Sequence, residues 1–436
     1  MARKISKFAS QPRPKARVHL STNAERLNLR RFHARLRRES SWTKIGRQLQ
    51  WSRFEKLIEY LSSDEKFLIS SRETSSGANE ITFKNCSFFS DPEEALDTLY
   101  AVAAADRIGK PYTVNFLDST CVDLAPLLIF SLIRRAARPG ICQGGKLTSG
   151  LKRVFHAIGL NKFGRMSVGK HDARAVWPIY LESVEIPAGA GYRAAAYRKQ
   201  RTSTKIAREV NSWIGKTGYE LTEESYEGLV TLLAELLDNS RHANSIRGGY
   251  EWTIAGFMTP GSHDNQYICY LSIINLGRSF AESLKNADTK RMRQLVRDYV
   301  SRHIGASMRQ DEAALVTALA LQDAITSDGQ GGCGMGNFIN MVTSLGSEAE
   351  PPQIIILSGA SFIRLAAPYG KMHVRADGKN VQFFNADQDQ SLPPSDGHVY
   401  RLSRSFPGTV ISTRFIIDTN DLAQKAVGDA DDRDAI

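Results

Sequence analysis

The 436-residue sequence has no long apolar run, no paired cysteines and no internal repeat. The longest apolar stretch, residues 124–133, is interrupted by Pro126 and Ser131 and is too short to cross a bilayer. No apolar signal segment is visible near the start. The five cysteines are scattered without C-x-x-C spacing, which disfavours a zinc site or a disulfide framework and is typical of a reducing compartment. We therefore expect a cytoplasmic protein that does not enter the membrane.

The positive charge is concentrated at the start of the chain. The whole chain has a net charge of +11, but residues 1–56 alone sum to +13, so the remainder is slightly acidic. Prolines and cations dominate the first 20 residues, and helical apolar spacing follows. We predict a basic, partly disordered helical arm over residues 1–76. Such an arm can bind the phosphates of nucleic acid or dock on a protein partner, and both interpretations remain open.

Residues 77–185 are predicted to form an α/β unit. Apolar spacing predicts two strands and three helices: strands at Ile81–Phe83 and Tyr112–Leu117, and helices at Pro92–Ile108, Val122–Ala137 and Leu151–Leu160. Asp91 is suited to cap the first helix, with Pro92 at its first position. The segment ICQGGKLTSG, residues 141–150, does not predict a strand.

The order of these elements resembles that of a STAS domain, the module of anti-sigma-factor antagonists. The resemblance is carried by VNFLDST, by the helix after it and by VFHAIGLNKF. It implies that Ser119 or Thr120 takes the place of the family's switch serine. The alternative is that these hydroxyls only cap the following helix.

The stretch GLVTLLAELLDNSRHA, residues 228–243, predicts an amphipathic helix that follows a linker at residues 186–203. Glu235 and Asn239 are one turn apart on the flank of its leucine stripe. A carboxylate beside a carboxamide suits a metal ion or an attacking water. The same pair is also compatible with an ordinary solvated flank.

Three further segments follow in order. The strands Tyr250–Met258 and Tyr267–Ile274 predict a hairpin that runs into Asn275, Gly277 and Ser279. A mostly helical region, residues 282–325, precedes a glycine-rich turn whose bare backbone N–H groups favour anions at the start of a helix. The glycines of that turn are Gly329, Gly331, Gly332, Gly334 and Gly336. Finally, Gly408 and Thr409 precede a β-branched strand, residues 410–417.

Taken together, residues 204–420 resemble the nucleotide-binding domain of the GHKL family, which includes gyrase, heat-shock chaperones, MutL-type ATPases and histidine kinases. The resemblance implies an α/β sandwich with helices on one face of a mixed sheet, and ATP and Mg²⁺ as ligands. By the same resemblance, Asn239 binds Mg²⁺ and Glu235 activates water. Asn275 stands where the family has an adenine-binding Asp, Gly277 is kept and Ser279 replaces a second Gly.

The resemblance further implies that the glycine-rich turn binds the triphosphate and that Thr409 lies near the adenine. No histidine stands in the phosphoacceptor setting of a histidine kinase. We expect a nucleotide-gated ATPase or switch that acts on a protein partner or by self-association. The alternatives are a Ser/Thr kinase of the anti-sigma type and a non-catalytic interaction protein with a degenerate pocket. An acidic, loose tail is predicted for residues 421–436.

Overall fold

The computed structural model describes residues 57–62, 72–73, 79–109, 111–118, 121–137, 140–168, 176–186, 191–242, 250–261, 263, 265–287, 289–322, 325, 336, 338–340, 342, 351–366, 369, 373–374 and 380–424. Most of the predicted basic arm, both Ser119 and Thr120, and the tail beyond residue 424 lie outside these residues. Residues 54–436 form one compact unit. Its described part is mixed α/β, and none of the helices described is long and apolar enough to span a membrane.

A four-stranded sheet forms the first half of this unit. Its strands, in the order β1-β2-β3-β4, are Arg72–Glu73, Asn79–Phe83, Tyr112–Phe116 and Cys142–Lys146. The last three strands are parallel, and β1 pairs antiparallel with β2. Four helices accompany the sheet: α1 (Pro92–Ile108), α2 (Ala125–Ala136), α3 (Ser149–Ile158) and α4 (Leu160–Phe163).

The predicted helix start at Pro92 is confirmed. The Asp91 side chain accepts a hydrogen bond from the Glu94 amide, and Gly109 ends the helix in the left-handed conformation. Strand β4, in contrast, was not expected from its polar sequence. Its residues Gln143 to Lys146 are exposed, so no apolar face is required, and the Lys146 amide also donates to the Asn115 side chain.

A five-stranded sheet forms the second half, in the order β5-β7-β8-β12-β9. Its strands are β5 (Trp177–Ile186), β7 (Tyr250–Pro260), β8 (Tyr267–Leu276), β9 (Gln353–Leu365) and β12 (Val399–Ile417). All four pairings between these strands are antiparallel, so the mixed sheet implied by the GHKL resemblance is not what the described strands form. Strands β7 and β8 are joined by a hairpin, which makes them antiparallel. The edge strands β5 and β9 each have one neighbour in the sheet, and that neighbour is also antiparallel.

The helices of the second half include the segment predicted as a linker. They are α5 (Gly191–Ile214), α6 (Glu223–His242), α7 (Phe280–Lys285), α8 (Lys290–His303) and α9 (Glu312–Ala320). Residues 191–203 of the predicted linker are thus helical, because Ala195, Ile206 and Val210 recur at helical spacing and are buried. The short strands β6 (Tyr219–Leu221) and β13 (Leu422–Gln424) pair, so the first residues of the predicted tail are ordered by a ladder. A separate two-stranded sheet joins β10 (His373–Val374) and β11 (Asn380–Val381).

The five-stranded sheet is covered by helices on both faces. On one face, Ile254, Ile273 and Ile411 share a core with residues of α5 and α6. On the other, Phe257 and Val410 belong to the core that contains α1 and α2. Helices α1 and α2 of the first half therefore pack against the five-stranded sheet, so helices are not confined to one face as the GHKL resemblance implied they would be. Because apolar side chains on each strand point alternately to the two faces of the sheet, both faces must be covered by other elements.

A buried carboxylate connects the two halves. The two side-chain oxygens of Asp123, just before α2, accept from the amides of Phe88 and Ala125 at 2.7 and 3.0 Å. The Ser412 hydroxyl of β12 donates to the same carboxylate at 2.8 Å, and the Ser272 hydroxyl of β8 lies 2.8 Å from that of Ser412. Burial raises the pKa of Asp123 to about 6, against the hydrogen bonds that lower it.

We expect Asp123→Asn to lower the free energy of unfolding by about 1–3 kcal/mol at pH 7, because a carboxamide has one acceptor oxygen where the carboxylate has two. Ser412→Ala, which removes only one of the donors to this carboxylate, should cost less than Asp123→Asn. Chemical denaturation of the full chain measures both. Equal losses for the two variants would contradict the anchoring role of Asp123.

The same residue should give stability a pH dependence of defined sign. The folded pKa of about 6 lies above the ordinary value of 3.8, so the folded state holds a proton between these two values. The contribution of Asp123 to stability is therefore present at low pH and declines as the pH rises through about 6. Asp123→Asn should remove this decline, whereas Ser412→Ala should retain it.

Candidate functional site

Two motifs that are about 130 residues apart in the sequence meet at one end of the five-stranded sheet. Asn275, near the end of β8, lies directly opposite Thr409 of β12. The Gly277 amide donates to the Pro407 carbonyl at 3.1 Å. Gly408 has a φ of +144°, and a Cβ at this position would lie 2.0 Å from the Asn275 carbonyl oxygen. Only glycine allows the two backbones to approach in this way.

Polar side chains continue across the sheet from this point. Thr409 also lies opposite Ser358 of β9, and the two hydroxyl oxygens are 2.7 Å apart. Asn275, Thr409 and Ser358 therefore form one row on one face. Two residues further along, Ile273, Ile411 and Ile356 form an apolar row in the core that contains α6.

Ser358 was not predicted from the sequence, although it is a single hydroxyl that ends the apolar run Ile354–Leu357. Its hydroxyl accepts from the Phe280 amide at 2.9 Å, which places the start of α7 beside the polar row. Ser279 caps that helix: its side chain accepts from the Glu282 amide, and its own amide donates to the Glu282 carboxylate at 2.7 Å. Ser279, which stands where the GHKL resemblance implies a glycine, thus has a local role as a helix cap.

Asn275 is buried, and its amide group is already bound. The side-chain nitrogen donates to the Glu251 carbonyl of β7 at 2.9 Å. The side-chain oxygen has no hydrogen bond among the described residues. An aspartate here would lose the bond to Glu251 and bring two oxygens together. Asn275 therefore has a structural role, its bond to the Glu251 carbonyl, that an aspartate could not fill.

Glu235 lies half-buried on α6, on the side that faces α5. Burial raises the pKa of its carboxyl, the nearby Asp238 carboxylate raises it further, and Lys199 of α5 lowers it. Lys199 pairs with Asp238 at 3.0 Å. A carboxyl with a raised pKa is a better proton acceptor than an ordinary glutamate. Asn239 is part of the same helix, one turn further on, but its side chain lies outside the described residues.

The glycine-rich turn is described only at its end. Gly329, Gly331, Gly332 and Gly334 lie outside the described residues. Gly336 is buried and helical, as are Phe338, Ile339 and Val342, which belong to the core that also contains Leu232 and Leu236 of α6. The described residues of the helix that follows the turn thus share a core with α6.

The region predicted to be helical, residues 282–325, contains α8 and α9 and most of α7. These helices share a small core of their own, which includes Leu284, Met292 and Leu319. The first of these helices, α7, begins at the polar row, through the bond from Phe280 to Ser358.

Within the described part of the chain, no group of three or more His, Cys, Asp or Glu side chains is arranged to hold a metal ion. Comparison with known proteins finds no family model, no curated protein and no solved structure that matches the chain.

We expect Asn275→Asp to destabilise the fold by about 1–3 kcal/mol, because the buried Glu251 carbonyl loses its donor and faces a carboxylate. The matched control is Asn286→Asp, because the exposed Asn286 makes the same kind of bond, to the Glu282 carbonyl at 2.8 Å. That change should cost less than about 1 kcal/mol, since water can replace the bond. Thermal or denaturant unfolding measures the stability of both variants. An Asn275→Asp protein as stable as the wild type would refute the structural role of this carboxamide.

Proposed function

We propose that the chain binds ATP with Mg²⁺ at the end of the five-stranded sheet and acts as a nucleotide-gated ATPase or switch. The observation that carries this proposal is the direct pairing of Asn275 with Thr409, with Gly277 and Gly408 at the same point. The GHKL resemblance requires these separate motifs to meet, and nothing in their separation along the sequence ensures that they do.

The residues at this sheet end suit the base of the nucleotide. The Asn275 side-chain oxygen can accept from an exocyclic amino group, while its nitrogen is held by Glu251. Gly277 carries no side chain that would block a planar ring. The start of α7, whose position is set by Ser279 and Ser358, borders this site, and nucleotide binding would shift it.

Asn239 would hold Mg²⁺ through its side-chain oxygen, and the glycine-rich turn from Gly329 to Gly334 would hold the phosphates through backbone amides. Mg²⁺ supplies charge neutralisation of the phosphates when bound. Glu235 would accept the proton of the attacking water, and its raised pKa suits that role.

The two faces of the sheet supply a route for a switch. Asn275 and Thr409 lie on the α6 face, while Ser272 and Ser412, three residues away on the same two strands, lie on the opposite face with Asp123. A shift of β8 against β12 on nucleotide binding would therefore alter the contact with the STAS-like half. Such a shift would be read out by a protein partner or a second copy of the chain.

A second candidate is a non-catalytic interaction protein. It is favoured by one observation: the hydroxyls of Ser358 and Thr409 bind each other at 2.7 Å, so this part of the row is satisfied without a ligand. A pocket in which those groups are already paired would bind nucleotide weakly and position it without turnover.

We expect Glu235→Gln to retain Mg²⁺–ATP binding and to lose about 10²–10⁴-fold in the rate of hydrolysis, because the amide cannot accept a proton. Glu224→Gln is the matched control, since Glu224 is an exposed carboxylate in the first turn of the same helix. Calorimetric binding and phosphate release of the full chain measure the two quantities. The acid side of the wild-type pH–rate profile should lie above the ordinary glutamate value of 4.5.

Three results separate the candidates. Binding with turnover that depends on Glu235 supports the ATPase. Binding without turnover in the wild type supports the non-catalytic protein. Absence of Mg²⁺-dependent ATP binding by the full wild-type chain would overturn the proposed site.

A further inference from the structure

The outer surface of α5 contains a groove of about 690 Å³ that is separate from the sheet end. Two kinds of side chain dominate its lining, cationic and aromatic. They are Arg201, Lys205, Arg208 and Lys216, with Tyr180, Tyr197 and Trp213. We call this the α5 groove. It is not a site that the sequence predicted, and it does not depend on the proposed nucleotide site.

Most of the positive charge in the α5 groove is not neutralised. Lys205 pairs with Glu182 at 2.6 Å and with Glu209 at 3.4 Å. Arg201, Arg208 and Lys216 are exposed, and none of them forms an ion pair with a described carboxylate. These three cations thus have no ion-pair partner among the described residues. Glu209 also lines the groove, but cations outnumber it, which favours an anionic ligand.

The spacing of these cations indicates an elongated ligand. Arg208 follows Arg201 by seven residues, which corresponds to about 10 Å along the helix, and Lys216 lies two residues beyond the end of α5. Cations so far apart do not converge on a single phosphate. They match a chain of phosphates that runs along α5.

The aromatic side chains lie between these charges. Tyr197 is 65% exposed and Tyr180 is 39% exposed, although both rings are large and apolar. Trp213 is fixed in position, because its Nε1 donates to the Pro178 carbonyl at 3.1 Å and its ring stacks on Trp177 with an angle of 9°. The Lys216 ammonium lies 3.4 Å from the centre of the Trp213 ring. Exposed rings beside phosphate-binding cations, here Tyr197 and Tyr180, are platforms for unpaired bases.

We propose that the α5 groove binds single-stranded nucleic acid, with Arg201, Arg208 and Lys216 on the phosphates and Tyr197 under a base. A duplex fits less well, because its bases are stacked on each other and do not offer their faces to protein rings. This binding is distinct from the nucleic-acid binding considered for the basic arm, since it uses aromatic stacking as well as charge.

The test is fluorescence anisotropy of a labelled 20-nucleotide oligo-dT with the full chain, measured over a range of salt concentrations. The double variant Arg201→Ala/Arg208→Ala should bind at least tenfold more weakly. The slope of log affinity against log salt should fall by about 1.4, because two phosphate contacts are lost. The matched control is Arg193→Ala/Arg198→Ala, which removes the same charge from exposed positions of α5 outside the groove. It should leave affinity and slope nearly unchanged.

A second variant isolates the stacking. Tyr197→Ala should weaken binding by about tenfold, because a stacking ring is lost. The salt slope should stay unchanged, because every phosphate contact is retained. All of these proteins keep the basic arm, so binding by the arm alone would be the same in each. Equal affinity of the two arginine double variants would overturn the proposal, as would absence of oligo-dT binding. Equally tight binding of a duplex of the same length would also overturn it.

Discussion

The antiparallel ladder between β8 and β12 is the constraint on which the rest of the structure depends. It runs from the pair Gly408 and Leu276 to the pair Ile417 and Tyr267, and it joins segments that are more than 130 residues apart. Because side chains alternate along each strand, one register fixes two surfaces at once. A slip of one residue in this ladder would turn the side chains that face α6 toward α2, and those that face α2 toward α6. The polar row at Asn275 and the contact with Asp123 would then both be lost.

This dual role explains why the two halves of the chain form one unit. On one face, the ladder places Asn275 opposite Thr409; on the other, it places Ser272 opposite Ser412, within reach of Asp123. The buried carboxylate needs donors from both halves, so the halves are not free to separate without leaving it unpaired. The register of β8 against β12 is therefore shared by the contacts on both faces.

Local signals in the sequence identified most elements but not their arrangement. The helix from Pro92 was predictable because its cap, its proline and its terminal glycine all act within a few residues. Strand β4 was not predictable, because an exposed strand needs no apolar pattern. The resemblance implied only that Asn275 and Thr409 both lie near the adenine; their direct pairing on neighbouring strands was not predicted. The bond from Asn275 to Glu251 and the role of Ser358 depend on strand neighbours, which a sequence pattern does not specify.

Hydrogen–deuterium exchange of the full chain, with and without saturating Mg²⁺–ATP, tests the central account most directly. Because the nucleotide is proposed to lie across the ladder end, exchange should slow in the peptides that contain residues 273–280 and 406–411, and along α6. The protection should require Mg²⁺ and should weaken in Asn239→Ala. Unchanged exchange in these three segments at saturating Mg²⁺–ATP, or protection confined to other parts of the chain, would contradict the account.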